Sequence, residues 1–314
     1  MSLDLEVQQS LRRVMSLGGL SLAGAARGCN LSTATLSTYL RSTPEAVLYK
    51  GDLDGIQKRI ATFTKRELER ALAPQPPPFV ETVISQEIAG VFRLSHVERV
   101  IGVVVGPPGV GKTATIEHYV QEMGDTISLS VNAMWDARAI LVALCNSLGA
   151  QAKGSTWQIA ERAIEALTGT GRLVIVDEAQ FLKYPALETL RCIHDRARMG
   201  LVLCGMQRLY DNMMGKERGL YSHLFSRVTR CALISGDIDG MDVSRIAKSV
   251  FPDVTAREME VFQTIANDPS GGRLRNLVQV LCHLKRTLTA TSGKMTPDLI
   301  RDAGNLLMFR SAQN

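Results

Sequence analysis

Residues Gly106-Pro-Pro-Gly-Val-Gly-Lys112-Thr113 satisfy the spacing G-x-x-x-x-G-K-[ST], and that stretch limits the possible folds more than any other in the chain. The glycines let a backbone loop wrap a phosphate so that successive N–H groups point inward. The loop follows the apolar run Val100-Ile-Gly-Val-Val-Val105, and a helical pattern begins at Lys112. Strand, loop and helix in that order are what the chemistry needs. Lys112 then places its charge between the β- and γ-phosphates of a nucleoside triphosphate, and the Thr113 hydroxyl joins a Mg²⁺ shell. ATP and Mg²⁺ are therefore the expected ligands of Gly106, Pro107, Pro108, Gly109, Val110, Gly111, Lys112, Thr113 and Ala114.

A second element completes the reading. Leu173-Val-Ile-Val176 is a buried-strand pattern ending in the acids Asp177 and Glu178. Asp177 would hold Mg²⁺ through water, and Glu178 would polarise the water that attacks the γ-phosphate. Strands that end in acids are common, so this signal gains its weight from the P-loop. The 64-residue spacing from Thr113 to Asp177 leaves room for an extra strand, which favours the additional-strand ATPases over the kinase-like branch.

Strand-like and helical stretches alternate from 79 to 236: strands at 126–131, 173–176, 200–205 and 228–233, with helices at 137–148, 156–167 and 186–198. This implies an α/β fold with a parallel sheet covered on both faces. From Asp237 the helical period takes over, at 243–251, 256–266, 273–288 and 297–308, and predicts a C-terminal helical lid over 237–314. Pro74-Gln75-Pro76-Pro77-Pro78 cannot continue a helix and marks a linker.

Residues 1–73 read as a separate helical unit. An amphipathic helix spans residues 1–16, and 54–72 closes the small core. Between them, 22–31 and 32–41 suggest two short helices with Ala25, Ala26, Leu31, Leu36, Tyr39 and Leu40 facing inward. Asn30 suits a left-handed turn position, and Ser32 suits a helix cap. Thr33, Thr35, Ser37, Thr38 and Arg41 remain for the outer face, as on a DNA-reading helix-turn-helix. The same spacing also fits an ordinary helical hairpin with a solvated Ser/Thr face. Residues 1–78 carry 10 Lys/Arg against 7 Asp/Glu within an overall charge of +5, which permits nucleic-acid binding without requiring it.

No apolar run is long enough to cross a bilayer, so a cytoplasmic protein is expected. The six cysteines lie singly, with neither C-x-x-C pairs nor histidine spacing for a structural metal.

Together these segments resemble the AAA+ transposition proteins related to the phage Mu B protein. The likeness lies in Leu31–Leu40, in Pro77–Thr82, in the P-loop, in Val174–Ala179, in Gly200–Leu203, in Leu224–Arg227 and in the Gly-x-Leu-Arg of Gly272–Arg275. The ATPase motifs are widespread; their combination with this N-terminal unit is more specific. The resemblance implies a DNA-binding ATPase, largely indifferent to sequence, that forms homo-oligomers or helical filaments on duplex DNA. It would select a target and activate a DDE-type transposase for strand transfer. It also fits Arg227 as an arginine finger with Arg230 as its rival, and Arg275 as a lid residue over the nucleotide. Gln207 stands near the place of the family's sensor asparagine. Arg138 and Lys153 are the DNA-contact candidates of the ATPase domain, and Ser32, Thr33, Thr35 and Arg41 those of the N-terminal unit. Alternatives are a helix-turn-helix transcription regulator switched by ATP, a helicase loader and a secretion-type ATPase.

Overall fold

The computed structural model describes residues 3–49, 51–71, 76–214, 218–268, 272–291 and 293–307. The chain forms two compact units, Met1–Gln75 and Pro76–Asn314.

Among the described residues, four helices build the first unit: α1 (Leu5–Leu17), α2 (Leu22–Gly28), α3 (Thr33–Arg41) and α4 (Leu53–Ala71). Asp4 caps α1 by accepting the N–H groups of Glu6 and Val7. Asn30 takes the expected left-handed conformation, φ 55°, where α2 turns into α3. Ser32 caps α3 by accepting the Thr35 N–H. Leu11, Ala25, Leu36, Tyr39 and Ile60 share the core, while Leu31 and Leu40 are partly buried at its margin. The buried Gln8 amide donates to the carbonyls of Tyr39 and Ser42, at 3.0 and 3.1 Å, so the last turn of α3 keeps partners for carbonyls that the helix leaves open.

The second unit opens with α5 (Val83–Glu98), a helix absent from the sequence expectation. Its signal was local. Thr82 and Ser85 form a reciprocal capping box, and Ile84, Ile88, Val91, Phe92 and Ser95 recur on one buried face. Then follow β1 (Ile101–Val105), α6 (Lys112–Glu122), β2 (Thr126–Ser130), α7 (Ala137–Ser147), α8 (Thr156–Leu167) and β3 (Leu173–Asp177). After a 3₁₀ turn at Ala179–Phe181 come α9 (Tyr184–Ala197), β4 (Gly200–Gly205), α10 (Gln207–Met214), α11 (Arg218–Phe225) and β5 (Val228–Leu233). The C-terminal helices are α12 (Gly240–Val250), α13 (Ala256–Ala266), α14 (Leu274–Thr291) and α15 (Pro297–Leu307); the expected end at 308 lies outside the described residues.

The five strands pair in parallel in the order β2-β3-β4-β1-β5. β2 fills the sequence gap between the two motif strands, but it lies at an edge of the sheet. The strand between β1 and β3 in space is β4, which follows both in sequence. β1, β3 and β4 are buried along their whole length, as expected of parallel strands covered on both faces. Alternate side chains serve two cores. Val104, Ile175 and Val202 join α5, α6 and the C-terminal helices. Val103, Val105, Val176 and Leu203 face α7, α8 and α9. Among the described residues no helix is long and apolar enough to cross a membrane.

Candidate nucleotide site

β1 delivers Gly106 to the end of the sheet, where its N–H donates to the Gly205 carbonyl at 3.1 Å. The loop then passes through Gly109 at φ 80° and Gly111 at φ 102°, both left-handed. A Cβ on Gly109 would lie 1.9 Å from the Gly272 carbonyl oxygen, so only glycine fits where the segment before α14 meets the loop. Lys112 starts α6 and is 7% exposed. Its ammonium donates to the carbonyls of Gly106 and Pro107 at 2.8 and 2.9 Å. Burial pushes its pKa below the ordinary value, against the opposing pull of Asp177 and Glu178.

Thr113 Oγ1 donates to Asp177 Oδ2 at 2.7 Å, joining the first turn of α6 to the end of β3. Asp177 is almost fully buried. A hydroxyl and a carboxylate that converge beside a phosphate loop are hard oxygen donors of the kind Mg²⁺ takes, so this pair fits the ion. Glu178 adopts a left-handed backbone, φ 60°, and its N–H donates to Asp177 Oδ1 at 2.9 Å. Its carboxylate accepts from the Gln180 amide, whose oxygen accepts the Met206 N–H at 3.1 Å.

These groups border a cavity of about 700 Å³, within the range of ligand clefts. Pro108, Gly109, Gly111, Lys112, Thr113, Ala114, Glu178 and Arg275 line it. Gly106, Pro107, Val110 and Asp177 are not part of that lining. The far wall escaped sequence reading. Phe79 stacks on His118 with ring centroids 4.1 Å apart and planes 21° from parallel. Val80, Ile246, Leu274 and Val278 add apolar surface, and Gln121 and Gln279 add amides. A flat base has aromatic and apolar partners here. The wall is anchored where the Val83 N–H donates to Asp242 Oδ2 at 2.8 Å, which fixes the start of α5 to α12. Burial pushes the Asp242 carboxyl above its ordinary range. The Pro-rich run into Phe79-Val80, just before the capping box, was the one available signal.

Other candidates stand elsewhere. Gln207 is exposed in the first turn of α10, and its amide donates to Asp211 at 3.0 Å. This i, i+4 pair turns it along the helix surface, and the cavity lining does not include it. The amide beside Glu178 is that of Gln180. Arg227 lies outside the cavity; its Nε donates to both Asp195 carboxylate oxygens at 2.9 Å. Arg191 also pairs with Asp195 and with Glu188. Arg230 is exposed on β5, an edge strand.

The nucleic-acid candidates divide. Thr33 and Arg41 are exposed on α3, whereas the Ser32 hydroxyl caps the helix and also pairs with Thr35 Oγ1 at 2.8 Å. Thr35, Ser37 and Thr38 are half-buried, and Thr38 Oγ1 donates to the Ala34 carbonyl. Arg138 Nη2 donates to the Gly154 carbonyl at 3.0 Å, so this guanidinium braces the loop before α8. Lys153 is exposed on that loop, and Trp157 is exposed in the first turn of α8.

Residues 96–213 match the AAA domain family. The chain is 29% identical over 304 residues to the "ATP-dependent target DNA activator B" of Escherichia phage Mu, covering 95% of this chain and 94% of that protein. It is 28% identical over 277 residues to the "Mu-like prophage FluMu DNA transposition protein B" of Haemophilus influenzae, covering 86% and 93%. Among solved structures, a Walker-type ATPase of Pyrococcus abyssi superposes with TM-score 0.52 at 14% identity, over 74% of each chain. Domain III of the Thermotoga maritima replication initiation protein DnaA gives 0.50 at 15% identity, over 74% of this chain and 95% of that one. The clamped P-loop, the twin acids of β3 and these likenesses agree: this chain is an ATP hydrolase of the AAA+ P-loop class, similar over nearly its whole length to the phage Mu target DNA activator B.

Proposed function

We propose that this protein is an ATP-dependent DNA-binding ATPase that assembles on duplex DNA and prepares it for a transposase. The observation that supports the reading is the Thr113–Asp177 hydrogen bond beside the P-loop, in a chain that matches the Mu activator almost from end to end. In this reading Lys112 holds the β- and γ-phosphates, and Thr113 with Asp177 holds Mg²⁺, which neutralises phosphate charge when bound. Glu178 orients the attacking water. α14 presents Arg275 to the nucleotide, with the C-terminal helices acting as a lid. Arg227 reaches the nucleotide of a neighbouring copy once Asp195 releases it, and hydrolysis is thereby tied to self-assembly.

The N-terminal unit supplies DNA contacts as a helix-turn-helix, with α3 as the contacting helix and Thr33 and Arg41 as its outward groups. Lys153 adds a phosphate contact from the ATPase domain. Single contacts of this kind are weak and indifferent to sequence, and assembly multiplies them. A DDE-type transposase is the partner that would use such a coated target.

The test measures binding to unrelated duplexes with no nucleotide, ADP, ATP and a non-hydrolysable analogue, with electron microscopy of each state. ATP-dependent filaments and similar affinities across sequences are expected. Equal binding in all four states would break the proposal. A footprint confined to one operator would favour an ATP-switched regulator instead.

A further inference from the structure

We infer that Gln180 is a positioning residue for hydrolysis: its amide ties the Glu178 carboxylate to the end of β4 and so to the P-loop. The inference rests on the reading of Glu178 as the group that orients water. Gln180 sits in the 3₁₀ turn after β3 and is 3% exposed, with both ends of its amide engaged. Nε2 donates to Glu178 Oε2, and Oε1 accepts the Met206 N–H at 3.1 Å. Reversing the amide would set oxygen against carboxylate and N–H against N–H, so the partners fix its orientation. Hydrophobic burial alone would not select glutamine at this position, because a buried amide without both partners is costly.

The attachment extends beyond one residue. A Cβ on Gly205 would lie 2.6 Å from Gln180 Oε1, so the last residue of β4 shapes the amide's seat. The Gly205 carbonyl also accepts the N–H of Gly106, the first residue of the phosphate loop. Loop, β4 end, Gln180 and Glu178 thus form a continuous chain of contacts. Glu178 has a left-handed backbone, a conformation that non-glycine residues keep only when their surroundings hold it. The Asp177 carboxylate accepts the Glu178 N–H, and Gln180 holds the Glu178 carboxylate. A phosphate that moves the loop would shift Gly205 and, through the amide, re-aim Glu178.

The test compares Gln180→Leu, Gly205→Ala and the double variant in full-length protein, with Glu178→Gln alongside. Gln180→Leu keeps the bulk but removes both hydrogen bonds. Its kcat should fall roughly tenfold or more, while KM and ATP affinity stay within about threefold of the starting protein. Gly205→Ala should show the same split. The double variant should be no slower than the worse single variant, because both break one linkage. Loss of kcat in proportion to lost ATP affinity or lost folded fraction would overturn the inference. So would additive losses in the double variant. Wild-type kcat in Gln180→Leu beside an inactive Glu178→Gln would overturn the Gln180 role alone. Sustained turnover in Glu178→Gln would instead remove the reading on which the inference stands.

Discussion

In the larger unit, Lys112, Thr113 and Glu178 come from two segments and line one cavity, Asp177 is bonded to Thr113 beside it, and burial moves the lysine from its ordinary pKa. In the N-terminal unit the polar residues of α3 lie along a helix surface, and several hydroxyls serve the helix itself: Ser32 caps it and Thr38 bonds one turn back. The ligands proposed for the two units account for the difference. A small charged ligand needs a concave, partly desolvated site, so its residues are recognisable by their packing. A DNA backbone is met by donors that stay in water, and such residues look like any solvated face.

Substitutions that separate the two units sharpen this contrast. Lys112→Ala has the largest expected effect. Turnover should fall beyond about 10³-fold, since the cation serves both bound nucleotide and transition state, and ATP-stimulated DNA binding should vanish with it in calorimetric and filter-binding titrations. ATP-dependent filaments in that variant would break the division of labour. Arg227→Ala should lower kcat on the order of 10²–10³-fold, toward or below the lower end known for arginines supplied by a neighbouring subunit. Mixing it with Lys112→Ala protein should restore part of the rate, because each copy then supplies what the other lacks. No recovery on mixing would place Arg227 outside the nucleotide chemistry.

Smaller effects belong to the N-terminal unit. Arg41→Ala should weaken binding to all duplexes by a few-fold, roughly one phosphate contact, and reduce the salt slope by about 1. Unchanged affinity and slope would leave α3 as a plain structural helix. Ser32→Ala should cost about 1 kcal/mol in the stability of the first unit through the lost cap. It should leave ATP turnover untouched; a fall in turnover would mean that the units are coupled more tightly than their separate cores suggest.

The smallest effect concerns pH. Burial pushes the pKa of His194 below its ordinary 6.5, and Nδ1 donates to the Met199 carbonyl at 2.7 Å. The unfolded chain therefore binds a proton more readily than the folded one. This contribution to stability is complete above 6.5 and declines as the pH drops below it. Melting curves from pH 8 to 5 should show this decline, and His194→Gln should flatten it; an unchanged slope in the variant would exclude His194 as its source.

Legibility in the sequence followed the range of the interactions. The P-loop, the acids of β3 and the alternation of strands and helices are local patterns, and each strand from β1 to β5 lies at or within two residues of its expected place. The cap at Ser32 and the turn at Asn30 were equally local. α5 could have been read from its capping box and periodicity. Sequence position placed Gln207 near the family's sensor asparagine but could not show that its side chain turns to Asp211. Arg138 and Arg227 carried charge in plausible places, but their partners, Gly154 and Asp195, are 16 and 32 residues away.

By itself the sequence determined that a phosphate loop follows a buried strand, that two acids end another, and that helices cover both faces of the sheet. Glycine conformations, apolar runs and capping side chains act over a few residues, so the order of amino acids records them. Tertiary structure alone decided that β4 separates the motif strands, that Phe79 and His118 wall the cavity, and that Gln180 reaches both Glu178 and Met206. Those contacts depend on how distant segments pack and on which buried polar groups find partners, and neither leaves a periodicity along the chain.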